Sequence, residues 1–123
     1  MINNDFEKII ESVTMYFKGT YHGNVEMLSK AFHPNARVTG IINDEIFDWS
    51  LSDFISRVTT SPSASNKGEK YDKEIISIDK TKNAAMVKSR VAVGELIFFD
   101  YITLLKIDGQ WIIRNKSFTN FLE

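Results

Sequence analysis

Two side chains in this sequence have the type and setting for acid–base chemistry, Asp100 and His33. Asp100 interrupts an apolar run, Phe98-Phe99-Asp100-Tyr101-Ile102. A carboxylate in such a strand must be exposed, ion-paired, or held in a cavity with a raised pKa. In a cavity it would act as a base or accept a hydrogen bond from a ligand. On an outer face it would pair across the sheet with Arg90, Arg114 or Lys116. Strand alternation puts Phe98, Asp100, Ile102 and Leu104 on one face, and Phe99, Tyr101, Thr103 and Leu105 on the other. Both sets are largely apolar, so the pattern leaves both placements open. His33 stands where a helical stretch ends before Pro34, and an imidazole titrates in the range useful for proton transfer. Its plainer role is to cap the last carbonyls of that helix. His22 lies in a glycine-flanked turn and reads as solvated.

The ligand-contacting candidates are mostly aromatic: Tyr16, Trp49, Phe54, Phe98, Tyr101 and Phe118, with Asn115 as a polar residue inside an apolar strand. Ordinary core packing is the alternative for the rings. Two histidines without a carboxylate at ligand spacing give no metal site, and there is no HExxH motif. With no cysteine, thiolate ligands, disulfides and a cysteine nucleophile are excluded. A glycine-rich phosphate loop, a GxSxG elbow and a Ser-His-Asp order are all missing, so neither cofactor nor metal is expected.

The elements that must position these residues are legible from periodicity. A helix is expected from about Asp5 to Lys18, with Phe6, Ile9, Ile10, Val13 and Phe17 on its apolar face. Asn4 and Glu7 are spaced as a capping box, and Gly19 suits the residue after the helix. Tyr16 sits just off the stripe, where it can face a cavity. Asn24 caps a second helix carrying Met27, Leu28, Ala31 and Phe32, and Pro34 ends helix at His33. Arg37 to Ile42 and Glu45 to Trp49 read as strands around an Asn43-Asp44 turn. Ser50 opens a third helix with Asp53 at the matching position. Residues 59–70 are small, polar and aperiodic, and read as a mobile loop. Tyr71 to Asp79 and Ala84 to Val93 are strands. The last quarter is a long hairpin, Ile97 to Ile107 and Gln110 to Phe118, turning at Asp108-Gly109. Helices followed by four long sequential strands give an α+β domain spanning residues 1–123, with the sheet wrapped around the first helix and a pocket at the open end.

The hairpin carries a resemblance. Phe99-Asp100-Tyr101-Ile102-Thr103-Leu104-Leu105, then Asp108-Gly109-Gln110-Trp111, then Ile113-x-Asn115-Lys116-x-Phe118 resembles the lumazine-binding-like family. Tyr16-Phe17-Lys18-Gly19 and Phe32-His33-Pro34-Asn35-Ala36 fit the same pattern. That family belongs to the cone-fold superfamily of nuclear transport factor, ketosteroid isomerase and SnoaL-like proteins. The resemblance implies helices packed inside a strongly curved, mostly antiparallel sheet, and commonly a dimer. Ketosteroid isomerase combines an Asp base with tyrosine and protonated Asp donors. Tyr16, Tyr101 and Asp100 match those residue types without reproducing that enzyme's full constellation.

Composition narrows the partners. Fifteen basic and 16 acidic side chains give a net charge of -1, with no basic footprint for nucleic acid and no polybasic membrane patch. No apolar run approaches a membrane span and no leader pattern is visible, so the expectation is a cytoplasmic protein. The first functional expectation is a small-molecule-binding cone with an aromatic-lined pocket. A SnoaL-like or ketosteroid-isomerase-like enzyme using His33 and Asp100 is the second, and an interaction module the third. A homodimer through the outer sheet face is expected, because Lys88, Arg90 and large apolar residues mix there.

Overall fold

The computed structural model describes residues 4–121. Helix α1 (Asp5–His22) and helix α2 (Val25–Ala31) lead into strands β1 (Phe32–Ile42) and β2 (Glu45–Ser50). Helix α3 (Leu51–Thr59) follows, then β3 (Lys73–Thr81), β4 (Ala84–Val93), β5 (Leu96–Ile107) and β6 (Gln110–Phe121). All six strands form one curved, unclosed sheet in the order β2-β1-β6-β5-β4-β3. Neighbours are antiparallel except β1 and β6, which run parallel. The architecture is the α+β cone that the sequence implies.

α1 lies in the concave face. Ile9, Val13, Tyr16 and Phe17 are buried on it, against Val87, Ile102, Leu104 and Ile113 of the sheet in one continuous core. Phe6 and Ile10, expected on the same stripe, are instead 52% and 43% exposed. The buried face is narrower than the apolar pattern because one helix in a curved sheet needs only its innermost ridge covered.

α1 also runs one turn past Gly19. The left-handed residue is Gly23 (φ 65°), whose N–H closes on the carbonyls of Gly19 and Thr20. Gly19 has a packing role: a Cβ there would sit 2.9 Å from the Leu28 side chain, so its absence lets α2 close onto α1. Asn4 makes no side-chain cap, unlike Asn24 and Ser50, whose side chains accept from the backbone N–H groups of Met27 and Asp53 at 3.1 Å.

Two bulges decide which side chains face the cone. In β6, Leu104 pairs with Ile113 while Thr103 pairs with Asn115, so Arg114 is an extra residue. Trp111 and Ile113 are buried before it, and Lys116 and Phe118 after it. In β3, Ile75 pairs with Ser89 and Ser77 with Lys88, leaving Ile76 as the extra residue. At the start of β3, Lys73 lies opposite the buried Val91 and shares its inward face.

Candidate active site

The open end of the cone holds a cavity of about 270 Å³ between α1, α3, the 60–72 segment and the inner face of β3–β6. Tyr16, Trp49, Phe54, Phe98, Asp100 and Phe118 line it, as do Lys73, Lys116 and Arg57. Its aromatic wall is built from both ends of the chain. Trp49 of β2 stacks on Phe118 of β6 with centroids 5.8 Å apart and planes 18° apart. Phe54 of α3 stacks on Trp49 at 6.5 Å with the planes 28° apart, and Phe98 meets Phe118 edge-on. At the mouth, the Arg57 guanidinium covers the Trp49 ring at 4.6 Å.

The floor of the cavity is polar. Asp100 is 1% exposed and points inward from β5. The Tyr16 hydroxyl donates to Asp100 Oδ2 at 2.5 Å, and the Ser89 hydroxyl donates to the same oxygen at 3.4 Å. Lys116 Nζ donates to Tyr16 Oη at 2.7 Å and lies 3.8 Å from Asp100 Oδ2. Its ammonium also sits over the rings of Tyr16, Phe54 and Phe118, 4.5–5.2 Å from their centroids. Asp100 Oδ1 accepts no hydrogen bond from the described residues.

Burial sets the protonation states. Desolvation, then the charge and hydrogen bond of Asp100, raise the Tyr16 pKa well above a free phenol, so Tyr16 stays protonated and donating. Desolvation lowers the Lys116 pKa, with Asp100 opposing that shift. The lysine, the phenol and the carboxyl group thus stand in sequence, with the Tyr16 hydroxyl between the other two.

The remaining sequence candidates lie elsewhere. Tyr101 is on the outer face, 43% exposed, with the Lys88 ammonium over its ring at 5.7 Å. Asn115 is turned outward by the β6 bulge, and its Oδ1 accepts from the Arg37 backbone N–H at 3.2 Å. Without Arg114 as the extra residue, simple alternation from Trp111 would have pointed Asn115 inward. His33 is outside the cavity at the start of β1, where its Nδ1 accepts from the Asn35 N–H at 3.0 Å. It neither meets Asp100 nor caps α2, whose last carbonyl bond comes from the Phe32 N–H. The outward partners considered for Asp100 are otherwise engaged, Arg90 with Asp72 and Arg114 with the Asn35 carbonyl.

In the sequence Lys116 reads as an outward ion-pair partner, and no local pattern marks Lys73. Each lies within three residues of a bulge, which shifts the alternation that makes a strand lysine read as solvated. Among the described residues no cluster of His, Asp or Glu gathers at metal-binding spacing, and no helix is long and apolar enough to cross a membrane.

The curved sheet around α1 and the pocket at its open end define a cone-fold protein of the NTF2-like kind. An NTF2-like protein of unknown function from Shewanella baltica OS155 has TM-score 0.86 and 18% identity, each chain covered over 100% of its length. One from Methylobacillus flagellatus KT has TM-score 0.83 and 25% identity, over 99% of this chain and 96% of that one. Residues 4–119 match the family described as "Putative lumazine-binding", and the chain belongs to it. Among curated proteins it is similar to Aldolase FrzH of Cladobotryum sp., 25% identical over 97% of this chain and 94% of that protein.

Proposed function

We propose that the cone binds a compact carbonyl compound and activates it by removing a proton from the carbon next to the carbonyl. The observation that carries this is the Lys116–Tyr16–Asp100 chain at the floor of an aromatic-walled cavity. Lys116 has ammonium protons to spare for a carbonyl oxygen, where they would stabilise the negative charge of an enolate. Asp100, through Oδ1, takes the proton from carbon. The Tyr16 phenol holds both groups in place. The enolate then takes a proton back at another carbon, or attacks a second carbonyl. Aldol chemistry is the second outcome, and the similarity to a protein named an aldolase supports it. The cavity lies at the small end of ligand pockets and suits a flat or largely apolar molecule.

The test is exchange of α-protons for deuterium, followed by NMR, in a panel of small ketones and aldehydes in heavy water. Catalysed exchange by the wild-type protein, lost in Asp100→Asn and Tyr16→Phe, is expected. Binding without exchange would make this a binding protein only, and absence of both would overturn the reading. The reading includes a homodimer through the outer sheet face, where Met86, Tyr101 and Leu105 stand exposed on β4 and β5. Light scattering that gives a 14.1 kDa monomer at micromolar concentration would refute that part.

A further inference from the structure

We propose that Lys73 is a covalent site in the cone, where its amine condenses with the carbonyl carbon of the ligand to form an imine. This rests on the reading of the cavity as a carbonyl-activating site and adds a residue to it.

Among the described residues five other lysines are paired: Lys8 with Glu11, Lys67 with Glu69, Lys80 and Lys106 with Asp5, and Lys116 with Asp100. Lys73 has no carboxylate in ion-pair reach and no hydrogen bond from its amine among the described residues, yet its side chain lies on the inward face and lines the cavity. A lysine in a purely structural role would be expected to snorkel to water or find an acid. This one shares an aromatic-walled pocket with a second basic group, Lys116. Those are the two conditions that make a lysine amine nucleophilic near neutral pH.

The electrostatics agree with the geometry. Desolvation, then the charge of Lys116 on β6, lower the Lys73 pKa to about 8, with Asp100 on β5 and Asp72 and Glu69 in the preceding segment opposing. At pH 7 roughly one molecule in ten carries the free amine, against roughly one in three thousand for an ordinary lysine.

The step balances without a further reagent. The neutral amine adds to the carbonyl carbon, the carbonyl oxygen gains protons and leaves as water, and a C=N bond replaces C=O. No group is oxidised or reduced. The protonated imine draws electrons from the adjacent carbon more strongly than the ketone does, so Asp100 removes the α-proton more readily. The proton then returns through the same carboxylate.

The experiment treats the wild-type protein with limiting butanal and sodium cyanoborohydride at pH 7, then locates the reduced adduct by peptide mass spectrometry. Lys73 should be alkylated at least about tenfold faster than exposed lysines such as Lys8 or Lys67, in line with its larger free-amine fraction. Lys73 reacting no faster than those, or Lys116 carrying the adduct instead, would overturn the proposal. Deuterium exchange separates it from the reading it rests on. Exchange that survives Lys73→Arg but is lost in Asp100→Asn refutes the imine and leaves the proton-transfer site standing. Exchange absent from the wild-type protein refutes that site, whatever the label shows.

Discussion

Lys116 Nζ and the Tyr16 phenol oxygen lie 2.7 Å apart at the floor of the cone, an ammonium donating to a phenol that itself donates to Asp100. Three elements, α1, β5 and β6, meet at this point, with Tyr16 and Asp100 84 positions apart in the chain. The site and the core therefore share side chains, and a change in the site is felt in stability.

Asp100→Asn shows this most directly. From the sequence alone, an inward Asp100 would be replaced by Asn with stability equal or higher near neutral pH. The structure gives reason to expect a loss instead, because the substitution leaves Lys116 buried without its counter-charge. Loss of one partner of a buried pair costs about 3–5 kcal/mol. Urea denaturation at pH 7 should show a loss of that order. Asp100→Asn combined with Lys116→Met should lose clearly less than the sum of the two single changes.

Lys73 gives the pH dependence. Its folded pKa of about 8 lies below its unfolded value, so between about pH 8 and 10.5 the unfolded chain binds more protons and stability rises with pH. The charged amine costs about 3 kcal/mol near pH 7, a penalty almost gone at pH 10.5. Lys73→Met should therefore be more stable than the wild type at pH 7, with the advantage fading by pH 10.5. Tyr16 works in the opposite sense. Its raised pKa contributes stability below pH 10 that is lost above it in both proteins, so the difference between them is the quantity to follow. A difference that stays constant from pH 7 to 10.5 would contradict the placement of Lys73.

How far the site could be read in the sequence depended on the backbone. Asp108-Gly109 turns the long hairpin with positive φ at both positions, and the limits of β4 coincide with the expected ones, because turn chemistry and alternation are local signals. Asp100 stood out as a carboxylate among apolar neighbours, and Tyr16 as a ring beside a helical stripe. Lys116 and Asn115 exchanged places for a reason no local pattern carries: the extra Arg114 shifts every later residue of β6 to the other face. His33 looked useful by chemistry and by its place before Pro34, but the start of β1 carries it away from the cavity.

Gly40 tests the aromatic wall. A Cβ at this position of β1 would fall 2.5 Å from the Phe118 ring and press on its carbonyl oxygen, so β1 and β6 pack closely only because the residue is glycine. Gly40→Ala should lower stability by about 1–3 kcal/mol, the usual range for overpacking. It should also displace Phe118 from its stack on Trp49, seen as a changed near-ultraviolet circular dichroism spectrum and weaker ligand quenching of tryptophan fluorescence.

Asp5 is the control at the closed end. Its carboxylate accepts from Lys106 Nζ at 3.0 Å and Trp111 Nε1 at 3.1 Å, and Lys80 Nζ lies at 3.4 Å. It ties the start of α1 to the β3–β4 and β5–β6 hairpins. Asp5→Ala leaves two ammonium groups and an indole N–H without this acceptor and should cost about 2–4 kcal/mol. Deuterium exchange measured well below the melting temperature should be unchanged, since the cavity is at the other end of the cone.

The segment after α3 distinguishes a lid from a spacer. Its polarity reads as a loop held by little, and the structure shows what does hold it. The Ser65 N–H donates to the Tyr21 carbonyl at 3.0 Å, the Tyr21 hydroxyl to the Glu69 carbonyl at 2.5 Å, and the Gly94 N–H to the Glu69 carboxylate at 2.9 Å. Ser61, Pro62, Ser63 and Ala64 close one side of the cavity. Deleting Ser63 to Asn66 removes the Ser65 tether and little apolar surface, a loss of about 1 kcal/mol or a melting temperature lower by about 3–5 °C. A core change such as Leu104→Ala should cost about 2–5 kcal/mol. The deletion should nonetheless weaken binding of the carbonyl panel and slow exchange, because it opens the cavity to water beside Lys73 and raises the pKa of that amine toward its ordinary value. Unchanged binding and exchange in a deletion variant of near-normal stability would show that the segment is a spacer and the cone is complete without it.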